Sequence, residues 1–332
     1  MALYIDIWKK YRDFELKIKF ECGNEVISLL GASGAGKSLT LKCIAGIVKP
    51  DEGRIVLDGR VLFDSKEGIN LPIQDRRVGL MFQNYALFPD MNVYDNIRYS
   101  IRKKDLKGAS IDTLIDNVLN KMNLYEVRNY KISELSGGMM QRVALARILV
   151  NDADIIMLDE PMSALDDHLR FGLMKELSKV FSEFGKTVLF ITHNRDEAYK
   201  LSDKIAIINE GRLDTIGNVD DIFANPHTIA GARLNGVKNI IEGFPGYENS
   251  IVGIRMHSIK TKRDKESDVM LECSIIDIEK TPFTYIVSLD YSGCIEPLYM
   301  EIEKDSFKNS IGDYIDVYIA SKAIMVLGKN PC

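Results

Sequence analysis

The run Val26-Ile27-Ser28-Leu29-Leu30-Gly31-Ala32-Ser33-Gly34-Ala35-Gly36-Lys37-Ser38-Leu39 passes from an apolar stretch through a glycine-rich turn into helix-forming sequence. A short run that is nearly all apolar, rather than alternating, fits a parallel strand covered on both faces. The turn has the spacing G-x-x-x-x-G-K-S, which works only where a strand feeds a helix. Gly34 and Gly36 let backbone N–H groups curl around phosphate oxygens without Cβ clashes. The helix starting near Lys37 presents its positive end to the same place. The expected cradle is Ser33, Gly34, Ala35, Gly36, Lys37, Ser38 and Leu39, with Lys37 reaching the β and γ oxygens and Ser38 ligating Mg²⁺. A glycine-rich turn with a chance lysine is the competing reading, and the flanking strand and helix disfavour it.

Farther along, Ile155-Ile156-Met157-Leu158 is another apolar run, and it ends in Asp159-Glu160. A carboxylate at such a strand end faces the metal, so Asp159 is the expected second ligand. Glu160 beside it is placed to polarise an attacking water. Val188 to Ile191 repeats the apolar pattern, and three such strands separated by helical sequence indicate an α/β core with a parallel sheet. Around it, Phe14, Leu16, Ile18 and Phe20 alternate with charged residues as a half-buried strand does. Arg54 to Phe63 reads as a hairpin turning at Asp58-Gly59. From about Asn92 to Val150 the pattern is helical, with Val118, Met122 and Tyr125 on one stripe and Met139, Val143, Ala146 and Val150 on another. These elements alone leave a kinase, a helicase and a GTPase open.

Composition sets the outer limits. A chain of 332 residues exceeds the usual single-domain size, so two domains are expected. The net charge of −5 argues against a general nucleic-acid binder. No stretch approaches the roughly 18 apolar residues of a membrane span. Met1 to Lys10 lacks the apolar core of a signal peptide. Any membrane role must come through a partner. Cys22, Cys43, Cys273, Cys294 and Cys332 form no CxxC pair and are expected to be buried or incidental thiols of a reducing compartment. After about Asn235 the character changes: Ile251 to Arg255, Val269 to Ile278, Thr284 to Leu289 and Tyr314 to Ile319 read as short strands, predicting a small barrel-like all-β tail.

Leu135-Ser136-Gly137-Gly138-Met139 resembles the signature motif of the ABC ATPase family, with Met in place of the usual Gln. Ser136 sits where a helix N-cap belongs, and the glycines expose N–H groups at a positive helix end. The resemblance implies that Ser136 and Gly138 cap the γ-phosphate of ATP held by a second copy, in a head-to-tail homodimer. Gln83 matches the Q-loop residue that senses the metal and the membrane partner. Asp166, in Ser163-Ala164-Leu165-Asp166, matches the D-loop, and His193 matches the histidine that contacts the γ-phosphate. Tyr11 is the expected aromatic against adenine, with Phe14 in reserve. The resemblance spans about residues 1–235 through six ordered motifs. It implies an α/β P-loop ATPase with an antiparallel β subdomain and a helical subdomain at about 92–150, followed by a β domain at 236–332 similar to the OB and TOBE types.

A separate cassette with a β tail looks like an importer subunit, and Asn84-Tyr85-Ala86-Leu87-Phe88-Pro89-Asp90-Met91-Asn92-Val93 resembles importers of sugars, polyamines, iron and oxyanions. Within that group Gly59-Arg60-Val61-Leu62-Phe63-Asp64-Ser65 and Gly253-Ile254-Arg255-Met256-His257 look most like molybdate or tungstate importers. Sulfate, iron and polyamine importers are the alternatives, and a soluble non-transport ABC switch is the other class. The implied partners are permease subunits at the cytoplasmic face of the membrane and, indirectly, an extracytoplasmic solute-binding protein. Arg255, His257, Lys260, Lys262 and Arg263 form a basic cluster in the tail, read as a solvated strand end in preference to an anion site.

Overall fold

The alternation near the N-terminus becomes an antiparallel pair, β1 (Leu3–Tyr11) and β2 (Phe14–Cys22), with Leu16, Ile18, Phe20 and Cys22 buried. In this computed structural model the described residues are 2–101, 108–151, 153–163, 167–265, 268–291 and 296–328. They fall into two units, Met1–Val219 and Asp220–Cys332. Next come β3 (Val26–Leu30) and α1 (Lys37–Ala45), and then β4 (Glu52–Leu57) and β5 (Arg60–Asp64). Asp58 and Gly59 join those last two strands at φ 47° and 77°, as the Asp-Gly pair predicts. The first unit continues through β6 (Ile69–Asn70), β7 (Val78–Met81), α2 (Val93–Ser100), α3 (Gly108–Lys121) and α4 (Gly137–Leu149). It ends with β8 (Ile155–Asp159), α5 (Asp167–Phe184), β9 (Thr187–Ile191), α6 (Arg195–Leu201), β10 (Lys204–Asn209) and β11 (Arg212–Asn218).

Among the described residues one sheet of eleven strands runs β6-β5-β4-β1-β2-β11-β10-β3-β9-β8-β7. The segment β10-β3-β9-β8-β7 is parallel throughout. Its burial explains the unbroken apolar runs. Ile156 and Leu158 enter a core shared with α2, α3, α4 and α5, whereas Ile155 and Met157 enter a second core with α1 and the antiparallel strands. Two of the parallel strands, β7 and β10, escape the sequence reading. Tyr125 also departs from expectation: α3 ends at Lys121, Asn123 turns at φ 52°, and Tyr125 is left 37% exposed. Val118 and Met122 remain in the core. No helix among the described residues is long and apolar enough to cross a membrane.

The second unit opens with α7 (Val219–Ala224), whose first residue closes the first unit, and α8 (Ile229–Leu234). The strands follow: β12 (Asn239–Phe244), β13 (Tyr247–Ile254), β14 (Ile259–Lys260), β15 (Val269–Lys280), β16 (Thr284–Tyr291), β17 (Leu298–Glu303), β18 (Tyr314–Ile319) and β19 (Met325–Leu327). They form antiparallel sheets β12-β13-β19 and β14-β18-β15-β16-β17. Ile241, Phe244 and Val252 of the first share one core with Leu271, Val287 and Val317 of the second, which makes a small barrel-like β domain. Three residues of its basic cluster are engaged within the unit. Arg255 donates to the carbonyls of Asn235 and Phe223, Lys260 pairs with Asp264, and Arg263 donates to the Lys265 carbonyl.

Candidate functional site

The turn between β3 and α1 is shaped by Gly36, the residue before α1, which stands at φ 104° with no side chain capping the helix. A Cβ there would lie 2.6 Å from Leu16 Cδ1 and 3.0 Å from Phe14 Cζ, so only glycine seats the helix start this close to β2. The first N–H groups of α1 have no intrahelical acceptor and suit an anion. Gly34 turns at φ 79°, with Ser33 and Gly34 exposed, Ala35 buried and Leu39 half-buried beneath. The Lys37 ammonium donates to the Gly31 and Ala32 carbonyls at 2.8 and 2.9 Å, folded over the loop. Burial pulls its pKa down, with Glu160 and Asp159 acting against that.

Ser38 Oγ donates to Asp159 Oδ1 at 3.0 Å, joining α1 to the end of β8. Burial pushes the Asp159 carboxyl up, and the Ser38 hydrogen bond opposes it. A hydroxyl and a carboxylate at this separation are hard oxygen donors of the kind Mg²⁺ takes beside phosphate. The residues present fit that ion.

Glu160 follows in the left-handed region at φ 50°. Its N–H donates to the Ile191 carbonyl at 3.1 Å, and its own carbonyl accepts from Ser163 N and Oγ at 3.3 and 3.1 Å. The carboxylate so aimed accepts from Gln83 Nε2 at 3.2 Å and lies 3.1 Å from His193 Nδ1. Three residues singled out in separate motifs thus meet at one carboxylate. Gln83 contacts Glu160 rather than the Ser38–Asp159 pair. A cavity of about 240 Å³ opens beside them, lined by Glu160, Ser163, Arg170, Thr192, His193 and Glu197. Glu197 is a residue the sequence reading missed. It is 5% exposed, accepts from Thr192 Oγ1 and pairs with Arg170 Nε at 3.3 Å. Burial raises its pKa, and the Thr192 hydrogen bond and then Arg170 pull the other way. The signal for it was faint: an Asn194 helix cap three residues ahead of the second of two adjacent acids, Asp196 and Glu197.

Ser136 does cap α4, its side chain accepting from Met139 N at 3.3 Å, and a Cβ on Gly138 would meet nothing. Met139 packs against the helical core, which accounts for an apolar residue at that position. Among the described residues no hydrogen bond or ion pair links Ser136 or Gly138 to the phosphate cradle of the same chain. Asp166 lies outside the described residues. Tyr11 is 54% exposed at the end of β1, with the Arg12 guanidinium 5.9 Å from its ring centre, whereas the Phe14 ring lies against Gly36 and Gly211.

The loop after Gln83 also borders a larger groove of about 610 Å³ between β7 and α4. Phe82, Tyr85, Ala86, Tyr99 and Arg147 line it. Tyr85 and Ala86 stand at φ 57° and 47°, and Arg147 donates to the Ala86 carbonyl while lying 4.9 Å from the Phe88 ring centre. One short loop therefore touches the Glu160 carboxylate at one end and an open groove at the other.

Residues 15–163 match the family model described as ABC transporter. The spermidine/putrescine import ATP-binding protein PotA of Bacillus thuringiensis (strain Al Hakam) is 36% identical over 282 residues, covering 85% of this chain and 80% of that protein. PotA of Acetivibrio thermocellus is 40% identical over 221 residues, covering 67% and 61%. Among solved structures, cbiO1 from Clostridium perfringens, part of the ABC transporter complex cbiONQ, superposes with a TM-score of 0.58 at 28% identity, covering 71% of this chain and 95% of that one. The ATP-binding cassette MJ0796, a post-hydrolysis dimer bound to ADP and Pi, gives 0.56 at 28% identity, covering 66% and 99%.

Proposed function

Because the chain belongs to the ABC transporter ATP-binding family, as an importer-type ATPase, we propose that it powers polyamine uptake from the cytoplasmic face of the membrane. ATP with Mg²⁺ is its substrate, hydrolysis is coupled to transport, and it acts as a dimer beside permease subunits. The solute is the finer question. The relatives at 36% and 40% identity are named for spermidine and putrescine import, so the polyamine alternative displaces the molybdate expectation. The solute assignment rests on that likeness.

The observation that carries the catalytic reading is Glu160 held between Gln83 and His193, next to the Ser38–Asp159 pair. In this reading Lys37 leaves the Gly31 and Ala32 carbonyls for the β and γ phosphate oxygens. Ser38 and Asp159 hold Mg²⁺, which when bound offsets charge on those phosphates. Glu160 orients the attacking water, and His193 steadies both the carboxylate and the γ-phosphate. Ser136 and Gly138 close over the ATP of the partner copy, and the D-loop with Asp166 reaches across the same interface. Tyr11 stacks on adenine. The groove beside Phe82 and Tyr85 takes a permease segment, because movement of that loop acts directly on Gln83.

Uptake in cells is the test. Cells lacking the chain should lose energy-dependent uptake of labelled spermidine or putrescine and keep molybdate uptake. Loss of molybdate uptake alone would reverse the solute assignment. Unaltered uptake, with only soluble proteins co-purifying with the tagged chain, would favour the non-transport switch.

A further inference from the structure

His193 has an exposed ring but a buried anchor. Its imidazole is 63% exposed, and its contact to Glu160 is made across open cavity. What fixes the ring is therefore the backbone turn that carries it. That turn is held from both sides by one group: Thr192 Oγ1 accepts from Asn194 N at 3.0 Å and donates to the Glu197 carboxylate. Asn194 Oδ1 in turn accepts from the N–H groups of Asp196 and Glu197 at 2.8 and 3.2 Å, seating α6. Glu197 is then clamped by Arg170 on α5, the helix that begins at Asp167.

A buried ion pair is weak evidence for stability, because desolvation offsets the Coulomb attraction. Its better-attested use is to enforce one geometry out of several. Here the geometry enforced is that of the catalytic turn. The same small cavity is walled by Ser163, which holds the Glu160 carbonyl, and by Thr192, Glu197 and Arg170, which hold the His193 turn. We propose that Glu197, clamped by Arg170 and Thr192, is a positioning residue that fixes the His193 turn against Glu160 and ties it to α5. The inference rests on Glu160 and His193 being the catalytic pair. A carboxylate at this point thus sets the register between the γ-phosphate side of the site and the helix that leads from the subunit interface.

The test is a double-mutant cycle on steady-state ATP hydrolysis by the full chain. Glu197→Gln keeps shape and the acceptor for Thr192 but drops the charge that faces Arg170. It should lower kcat about ten-fold with KM for ATP changed less than about two-fold, since misplacing a catalytic group costs rate rather than binding. In a His193→Ala background the same change should cost less than about two-fold, because there is no longer a ring to position. Thr192→Val, of unchanged volume, should behave alike and serves if Glu197→Gln melts early. Unchanged kcat in either variant, or an equal loss in both backgrounds, would overturn the proposal and leave Glu197 as fold support. Normal turnover by Glu160→Gln would instead remove the catalytic pair itself, so the two failures are separable.

Discussion

At the scale of single residues the site depends on Glu160 sitting where side chains seldom sit. A non-glycine residue in the left-handed region costs on the order of 1–2 kcal/mol, and it persists where surrounding bonds fix it. Those bonds are the contacts to Ile191 and Ser163. The cost places a carboxylate between Gln83 and His193, which a relaxed strand end would not do. Thiols illustrate the opposite case, residues that are merely inside. Burial pushes Cys22, Cys43 and Cys273 to about 12, so at pH 8 almost none is thiolate. Peptides containing these three should stay unlabelled by iodoacetamide in the native protein at pH 8 and label after denaturation. Native labelling at the rate of free cysteine would contradict the packing. That these three thiols are buried matches the expectation drawn from spacing and composition. Cys294 and Cys332 lie outside the described residues.

At the scale of elements, patterns that obey one local rule were readable and those that depend on distant partners were not. The phosphate loop and the Asp58-Gly59 hairpin are local, and both form as their residues dictate. Strand β7 is four residues long and carries Gly79, where a Cβ would fall 2.3 Å from Ile148 Cγ2; α4 packs on bare backbone there, and the sequence alone gives no sign of it. Glu197 was illegible for the same reason, since its meaning lies in Arg170 and Thr192. Arg76 is a third example and yields a prediction. It is fully buried and donates to the Cys43 and Ile44 carbonyls at 3.0 and 2.8 Å, to the Leu71 carbonyl and to Asn70, closing the C-terminus of α1. Arg76→Met should cost about 3 kcal/mol or more by taking the guanidinium donors from the Ile44 and Leu71 carbonyls and from Asn70, while the Cys43 carbonyl keeps the Gly46 N–H. Denaturant unfolding measures it, and a loss below about 0.5 kcal/mol, the size of a neutral surface change, would contradict this account of α1.

At the scale of the whole molecule, two helix N-termini suited to anions sit in one unit, at Gly36 and Ser136, with no hydrogen bond or ion pair between them among the described residues. A second copy reconciles them. Ser136→Arg should leave ATP binding within about three-fold while cutting hydrolysis about 100-fold or more, as expected when a donor is lost only from the transition state; unchanged hydrolysis would remove the trans-capping role. The solute was read as molybdate or tungstate from Gly59–Ser65 and Gly253–His257, and the relatives named for spermidine and putrescine import favour the polyamine alternative instead. Light scattering of the Glu160→Gln protein with and without ATP tests the dimer most directly. The expected mass is that of one chain without nucleotide and of two chains with ATP, stable because turnover is blocked. A single-chain mass at saturating ATP, with binding intact, would contradict the dimeric ATPase.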